Sequence, residues 1–220
     1  MDRSNSQFHR HGTYLGALSA LLVVVTTACG PRPGDLRTYR EVGNFELIER
    51  SGDPISRADL EGRIWVANFF FAGCVTECSA VMDRMAEIQE KARSQPDVLL
   101  VSFTTDPRSD TPEALRKFAA QFDADPHRWL FLTGDRRELL RTIVHSFLMP
   151  ITRNPRDQAD LLSGLVHTDK LALVDRAGVV RAYFDGLNPE TPDAVLTAID
   201  RLTAESPLPA KGPNLTQNQQ

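Results

Sequence analysis

Two cysteines lie four residues apart, directly after three phenylalanines, in the stretch FFFAGCVTECS at residues 69–79. On a helix, side chains at positions i and i+4 share one face, with Cβ atoms about 5–6 Å apart. Cys74 and Cys78 could therefore hold one metal ion, or cycle between a dithiol and a disulfide after some local unwinding. Soft thiolates select Cu(I) or zinc. Because zinc favours four ligands and the chain has no second cysteine pair, a structural zinc site is disfavoured.

A nitrogen ligand would complete a copper site, and His167 is the candidate that the sequence offers. It lies just before an apolar stretch, LALVD at 171–175. In a thioredoxin-type sheet, the chain entering that strand passes close to the start of the helix that carries the cysteines. A single histidine more often has a structural role, so the spacing alone leaves this assignment open. Met82 and Met85 are also soft donors, but methionines at these positions are more often core residues.

The apolar pattern predicts the elements that must position these residues. The run IWVANFFF is typical of a strand buried on both faces. A helix follows with its apolar face at Val81, Met85 and Ile88, and Thr111 and Pro112 begin another helix as N-cap and first residue. The segments LALVD and VVRAYF flank a turn and predict a hairpin. The predicted strands are 44–49, 64–71, 98–103, 129–132, 171–175 and 179–184, and the predicted helices are 77–92, 111–122, 136–147 and one beginning at Thr191.

Strands that alternate with helices imply parallel pairing, and the hairpin adds an antiparallel edge. The predicted fold class is α/β: a thioredoxin-like fold with a mixed central sheet and helices on both faces. The turn residue Asp106 and Asp110, which precedes the N-cap, are interpreted as loop and cap residues. Asp169 is interpreted as a solvated carboxylate at the end of a strand.

The first forty residues are expected to lie outside this fold. A basic start is followed by a short apolar run at 15–28, which is typical of an export signal. Residues 1–28 are predicted to be a lipoprotein-type signal peptide, with Cys29 as the lipidated residue; a plain signal or short anchor is the alternative. Residues 29–40 are predicted to be anchor and linker, residues 41–204 the folded domain, and residues 205–220 a disordered tail.

The composition indicates a packed domain and disfavours one class of partner. The chain has 220 residues, a net charge of −4 and 41% hydrophobic residues. This hydrophobic content is typical of a packed domain. The charges are mixed, with no basic block, which disfavours nucleic acid as a partner. If Cys29 carries lipid, Cys74 and Cys78 remain as a pair in an oxidising compartment, too close in sequence to join distant parts of a domain.

Four motifs occur in order along the chain. They are a phenylalanine-rich strand leading into CxxxC, a strand leading into a DP-x-x-DTP loop, W-x-FLTG, and a histidine shortly before a strand that ends in D-x-x-G. In this chain the four motifs read FFFAGCVTECS, VSFTTDPRSDTPEALRKF, WLFLTGD and HTDKLALVDRAG. Together they resemble the Sco/SenC copper-chaperone family over roughly residues 40–204.

The resemblance implies a membrane-anchored, thioredoxin-like monomer facing the periplasm or its equivalent. It implies one copper ion per chain, bound by Cys74, Cys78 and His167, and a role in assembling the dinuclear copper centre of cytochrome c oxidase. The partner would be the copper-bearing subunit of that oxidase or another periplasmic copper protein, served as metallochaperone, as thiol reductase, or as both. Two residues depart from the family pattern: Val75 replaces a common proline and Val166 replaces a common aspartate, which removes a possible partner of the histidine.

Two other classes of function stay open on the residues alone. One is a general exported thiol–disulfide oxidoreductase without copper, and the other is a non-catalytic copper sensor or storage module. A thiol peroxidase is disfavoured because Phe71 stands where such enzymes of related fold carry a threonine. His167 discriminates among these classes, since a dithiol exchanger does not need it and a Cu(II) site does.

Overall fold

The computed structural model describes residues 36–73, 77–149 and 168–205, with Glu77 and Cys78 described at the backbone only. Seven strands form one sheet. They are β1 (Glu46–Glu49), β2 (Pro54–Ser56), β3 (Ile64–Phe70), β4 (Val98–Thr104), β5 (Trp129–Thr133), β6 (Lys170–Val174) and β7 (Val180–Asp185). Their order in the sheet is β2-β1-β5-β4-β3-β6-β7. The three central strands β3, β4 and β5 run parallel, and the strands outside them pair antiparallel.

Helices cover both faces of this sheet. They are α1 (Glu77–Lys91), α2 (Pro112–Ala119), α3 (Arg136–Arg141) and α4 (Thr191–Glu205), with 3₁₀ turns at Arg57–Leu60 and Ala120–Phe122 and a π-helical segment at Thr142–Ser146. Buried residues of α1, α2 and α4 pack on one face, and those of α3 and the π-helical segment pack on the other. The predicted mixed sheet with helices on both faces and the β6–β7 hairpin are confirmed.

The strand that leads to the cysteines is buried on both faces, as its apolar run predicts. All seven residues of β3 are buried, and their side chains alternate between the two cores. Phe69 packs with Phe103 and Phe147, at ring-centroid distances of 5.9 and 5.0 Å, on the face away from α1. Phe70 packs on the α1 face, 5.7 Å from Phe131. Burial of this much apolar surface fixes the end of β3 and so the start of the cysteine loop.

Three details differ from the predicted elements. The short strand β2 was not predicted, because three residues that include a proline carry almost no periodic signal. The predicted helix 136–147 is α-helical only to Arg141 and continues as the π-helical segment. Within the predicted linker, residues from Arg37 onward hydrogen-bond along β7: Arg37 N–H donates to Arg181 O at 2.7 Å and Tyr39 N–H to Val180 O at 3.0 Å. Residues 1–35 and 206–220 lie outside the described residues.

No helix within the described ranges is long and apolar enough to cross a membrane.

Candidate metal centre

The cysteine-bearing segment joins β3 to α1. Ala72 and Gly73 form the turn after the strand, and α1 begins at Glu77, so the backbone of Cys78 lies in the first turn of α1. The amides of a helix's first turn have no partner within the helix, and together with the helix dipole they favour a thiolate. Cys74, Val75 and Thr76 lie outside the described residues, as does the side chain of Cys78.

Helix α1 is held against the sheet by its buried face. Met82 and Met85 are fully buried, which confirms that they are core residues. Beneath Met82, a chain of buried polar groups crosses the sheet. The indole N–H of Trp129 donates to Ser102 Oγ at 2.8 Å, and the Ser102 hydroxyl donates to Asn68 Oδ1 at 2.5 Å. Asn68 Nδ2 in turn lies 3.2 Å from Met82 Sδ. These hydrogen bonds satisfy polar groups that would be costly to bury alone, and they fix α1 one turn beyond Cys78.

His167 lies outside the described residues, but the two residues that follow it do not. The carbonyl oxygen of Asp169 accepts a hydrogen bond from Gly186 N–H at 2.6 Å. A Cβ atom on Gly186 would lie 2.5 Å from that oxygen and 3.1 Å from the methyl groups of Val81. Gly186 therefore sits between the chain entering β6 and the first turns of α1, and a side chain at this position would force a neighbouring atom to shift.

The packing at Gly186 indicates how closely the segment after His167 approaches the helix that carries Cys78. Val81 is three residues after Cys78, and residues at this spacing lie on the same side of a helix. The chain that follows His167 thus approaches the cysteine side of α1. Thr168 is fixed as well, since its hydroxyl contacts Met149 Sδ at 3.6 Å and accepts from Lys170 N–H at 3.1 Å. Asp169 pairs with Lys170 at 3.1 Å, so its carboxylate lies at the strand end with a cationic partner.

Asp110 has a contact that the sequence did not predict. Its carboxyl group is buried, with the residue only 2% exposed. It accepts hydrogen bonds from Ala72 N–H, at 3.3 Å to Oδ1 and 3.2 Å to Oδ2, and from the Thr104 hydroxyl. Burial raises the pKa of Asp110, and these hydrogen bonds offset part of that increase. The residues Asp110, Thr111 and Pro112 form a pattern typical of a helix start, and Thr111 accounts for it by capping α2 through a hydrogen bond accepted from Ala114 N–H. Nothing in the sequence therefore marks Asp110 as buried.

The described residues alone do not form a metal site. Within residues 36–73, 77–149 and 168–205, no group of three His, Cys, Asp or Glu side chains is placed to hold a metal ion. The described histidines, His127 and His145, are both exposed. The proposed ligands are Cys74, Cys78 and His167, whose side chains all lie outside the described set.

Comparison with known proteins decides the family. The SCO1/SenC family model matches residues 34–204. The chain belongs to the SCO1/SenC family. Among curated relatives of this SCO1/SenC protein, the SCO1 protein homolog of Bacillus subtilis is 26% identical over 185 residues, which covers 84% of this chain and 94% of the homolog.

Two solved structures of the family are similar in fold. A SCO1/SenC family lipoprotein from Bacillus anthracis str. Ames has a TM-score of 0.67 and 28% identity, covering 74% of this chain and 95% of its own. BsSco, a member of the Sco family of cytochrome c oxidase assembly proteins in which a disulfide switch was identified, has a TM-score of 0.66 and 28% identity, covering 78% and 98%. The thioredoxin-like fold is therefore shown, and with it the SCO1/SenC membership predicted from the four motifs.

Proposed function

We propose that this SCO1/SenC protein is a copper metallochaperone that binds one copper ion through Cys74, Cys78 and His167. The observation that carries the proposal is the convergence at α1. The backbone of Cys78 lies in the first turn of this helix, and the chain that follows His167 is held against Val81 through Gly186. We therefore expect the two thiols to lie near the same end of α1 as the segment that carries the imidazole.

The donor set suits copper in both oxidation states. Thiolates are soft ligands that favour Cu(I), and imidazole is a good ligand for Cu(II). A thiolate in the first turn of α1 is stabilised by the helix dipole, which favours the metal-binding form of the cysteine. With two sulfurs and one nitrogen, the ion keeps a low coordination number, which leaves room for a client's ligand during transfer.

The client that fits this cargo is a copper protein of the respiratory chain. We propose delivery to the dinuclear copper centre of cytochrome c oxidase, or to another periplasmic copper protein. Membership of the SCO1/SenC family and the similarity to BsSco, named as a cytochrome c oxidase assembly protein, support this client.

A second activity, thiol reduction, uses the same two cysteines. One thiolate of the Cys74–Cys78 pair attacks a client disulfide, and the other cysteine then displaces the client thiol. The client disulfide gains two electrons and two protons, and Cys74 and Cys78 become a disulfide. The disulfide switch described for BsSco favours this possibility. If this thiol reduction were the only activity, the protein would be a general exported thiol–disulfide oxidoreductase without copper, which is the alternative function.

The proposal includes export and membrane attachment. Residues 1–28 are a lipoprotein-type signal peptide, Cys29 carries the lipid, and the domain faces the periplasm or an equivalent space as a monomer. The apolar run before Cys29 and the similarity to a family lipoprotein of Bacillus anthracis support this location.

Anaerobic titration of the reduced domain with Cu(I) and with Cu(II) tests the copper proposal. We expect one ion per chain in both states, and His167→Ala should mainly weaken Cu(II) binding. His127→Ala is the matched control, because it removes an exposed histidine from a loop of the same domain. Equal Cu(II) affinity in the His167→Ala and His127→Ala variants would rule out His167 as a ligand. A Cys74–Cys78 couple that reduces a dicysteine client peptide but binds no copper would leave only the oxidoreductase.

A further inference from the structure

Asp110 connects the loop before the cysteines to a second element of the fold. It lies just before α2, whereas Ala72 lies just after β3, 38 residues earlier in the chain. The Ala72 amide donates to both carboxyl oxygens, at 3.3 and 3.2 Å. Ala72 precedes Cys74 by two residues, so this contact fixes the backbone close to the point where the cysteine loop leaves the sheet.

The carboxyl group is itself held from several directions. The Thr104 hydroxyl donates to Oδ2 and also accepts from Asp106 N–H at 3.0 Å. The carbonyl of Asp106 accepts from the N–H groups of Ser109 and Asp110, at 3.2 and 3.0 Å. Asp110 is thus held in a closed turn at the end of β4 by contacts that do not involve the cysteine loop, in addition to its contact with Ala72.

The surroundings of the Asp110 carboxyl group explain why its removal should affect the loop between β3 and α1. Among the ion pairs formed by residues 36–73, 77–149 and 168–205, none includes Asp110, so its described partners are neutral donors. The charge of Asp106 also acts on it, and that charge has the same sign. Removing the carboxyl group leaves the half-buried Ala72 amide and the buried Thr104 hydroxyl without this acceptor.

We propose that Asp110 is a positioning residue for the copper site, acting through the Ala72 amide to fix the approach of Cys74 to Cys78. This role rests on the proposed function, since it concerns the geometry of the same cysteine pair. It differs from the cap role that the sequence assigns to Asp110, because Thr111 supplies the cap of α2.

Four variants of the full domain distinguish a role of Asp110 in positioning the cysteine loop from a role in folding. Asp110→Ala removes both acceptor atoms. Asp110→Asn is the conservative change, because its Oδ1 still accepts from Ala72 N–H while its amide group can donate to Thr104. Asp106→Asn is the matched control, the same change four residues earlier in the same loop. If Asp110→Ala does not fold, Thr104→Val replaces it, since that change removes the hydroxyl that holds the carboxyl group.

The first measurement is hydrogen exchange of the Ala72 amide in the reduced, metal-free protein. Asp110→Ala should speed exchange by about tenfold, as expected for loss of one partly buried hydrogen bond to a carboxyl group. Asp110→Asn should restore most of the protection, Thr104→Val should give a smaller increase than Asp110→Ala, and Asp106→Asn should match the wild type. Unchanged Ala72 exchange in Asp110→Ala, or in Thr104→Val where that variant replaces it, would overturn the proposal.

The second measurement is the reduction potential of the Cys74–Cys78 couple together with the Cu(II) affinity. Asp110→Ala should shift the equilibrium constant of the couple and weaken Cu(II) binding by about tenfold, with recovery in Asp110→Asn. A faster Ala72 exchange with both site measurements within twofold of the wild type would show that the contact does not position the site, and the proposal would fail. If the wild type binds no copper, the proposed function fails, and the reduction potential still decides the role of Asp110.

Discussion

The two ends of the central sheet bury charge in opposite ways. At the site end, defined here by Ala72, Thr104 and Asp110, one buried carboxyl group has neutral hydrogen-bond donors as its described partners. At the opposite end, two buried arginines share one carboxylate. Arg63 Nη1 and Arg176 Nη2 each lie 3.7 Å from an oxygen of Asp97, and Arg63 also donates to Pro96 O at 2.8 Å.

We interpret the opposite end of the sheet as structural and the site end as functional. At the opposite end, buried cations have nearby carboxylate and carbonyl acceptors, which is how folded proteins tolerate buried charge. At the site end, Asp110 keeps an acidic group beside the loop of a proposed cation site and pairs with a backbone amide. We therefore expect changes at the opposite end to alter stability alone, and changes at the site end to alter copper and thiol chemistry as well.

The largest expected effect follows from filling the space at Gly186. In Gly186→Ala the new Cβ would lie 2.5 Å from the backbone oxygen of Asp169, so the chain entering β6 must move away from α1. We expect a loss of about 1–3 kcal/mol in the free energy of unfolding, measured by urea denaturation, and a weaker Cu(II) complex.

Gly43→Ala is the matched control for this change. Its Cβ would meet only Ser146 Oγ, at an ordinary contact distance of 3.6 Å. A stability and a Cu(II) affinity in Gly186→Ala that match those of Gly43→Ala would contradict the close approach of the β6 entrance to α1.

A smaller effect is expected at the opposite end. Asp97→Asn removes the carboxylate that Arg63 and Arg176 share, but the Asp97 side chain is 43% exposed and solvent weakens these pairs. We expect a loss of about 1 kcal/mol or less in the free energy of unfolding. The reduction potential of the Cys74–Cys78 couple, measured against a glutathione buffer, should not change. A shifted reduction potential in Asp97→Asn would contradict the expectation that changes at the opposite end alter stability alone.

The smallest expected effect is a dependence of stability on pH that arises from Asp110 at the site end. Burial raises the pKa of Asp110 in the folded state. The folded protein then binds this proton more tightly than the unfolded chain, so the stability linked to it is present at low pH. That stability is lost as the pH rises from the ordinary value of 3.8 through the raised value. Asp110→Asn does not titrate at this position, so the free energy of unfolding of this variant relative to the wild type should increase with pH over that window.

Urea unfolding of the reduced, metal-free proteins at several pH values measures this difference. A difference that falls as the pH rises would contradict a raised pKa of Asp110 in the folded state.

The elements of the fold could be predicted because their signals are local. The apolar run of β3, the helical spacing of Val81 and Met85, and the hairpin turn between β6 and β7 each lie within a few residues. The end of the predicted helix 136–147 could not be found in this way, since the shift to π-helical bonding after Arg141 leaves the apolar spacing almost unchanged.

The contacts that position the site could not be predicted because they join distant residues. The Asp110–Ala72 hydrogen bond spans 38 residues, and the sequence around Asp110 already has a complete local explanation in the cap of α2. Gly186 is similar: its neighbour Asp169 is brought to it by the pairing of β6 with β7, and Val81 by the packing of α1. The predicted ligands stay a proposal, because Cys74 and His167 and the Cys78 side chain lie outside the described residues.

The most direct test of the central claim is X-ray absorption spectroscopy of copper in the loaded domain. The account predicts two sulfur neighbours and one imidazole nitrogen around Cu(II), with one sulfur lost in Cys74→Ser and the imidazole signal lost in His167→Ala. A Cu(II) spectrum in which the imidazole signal persists in His167→Ala, or in which no sulfur neighbour is found, would contradict the convergence of these three residues on one ion.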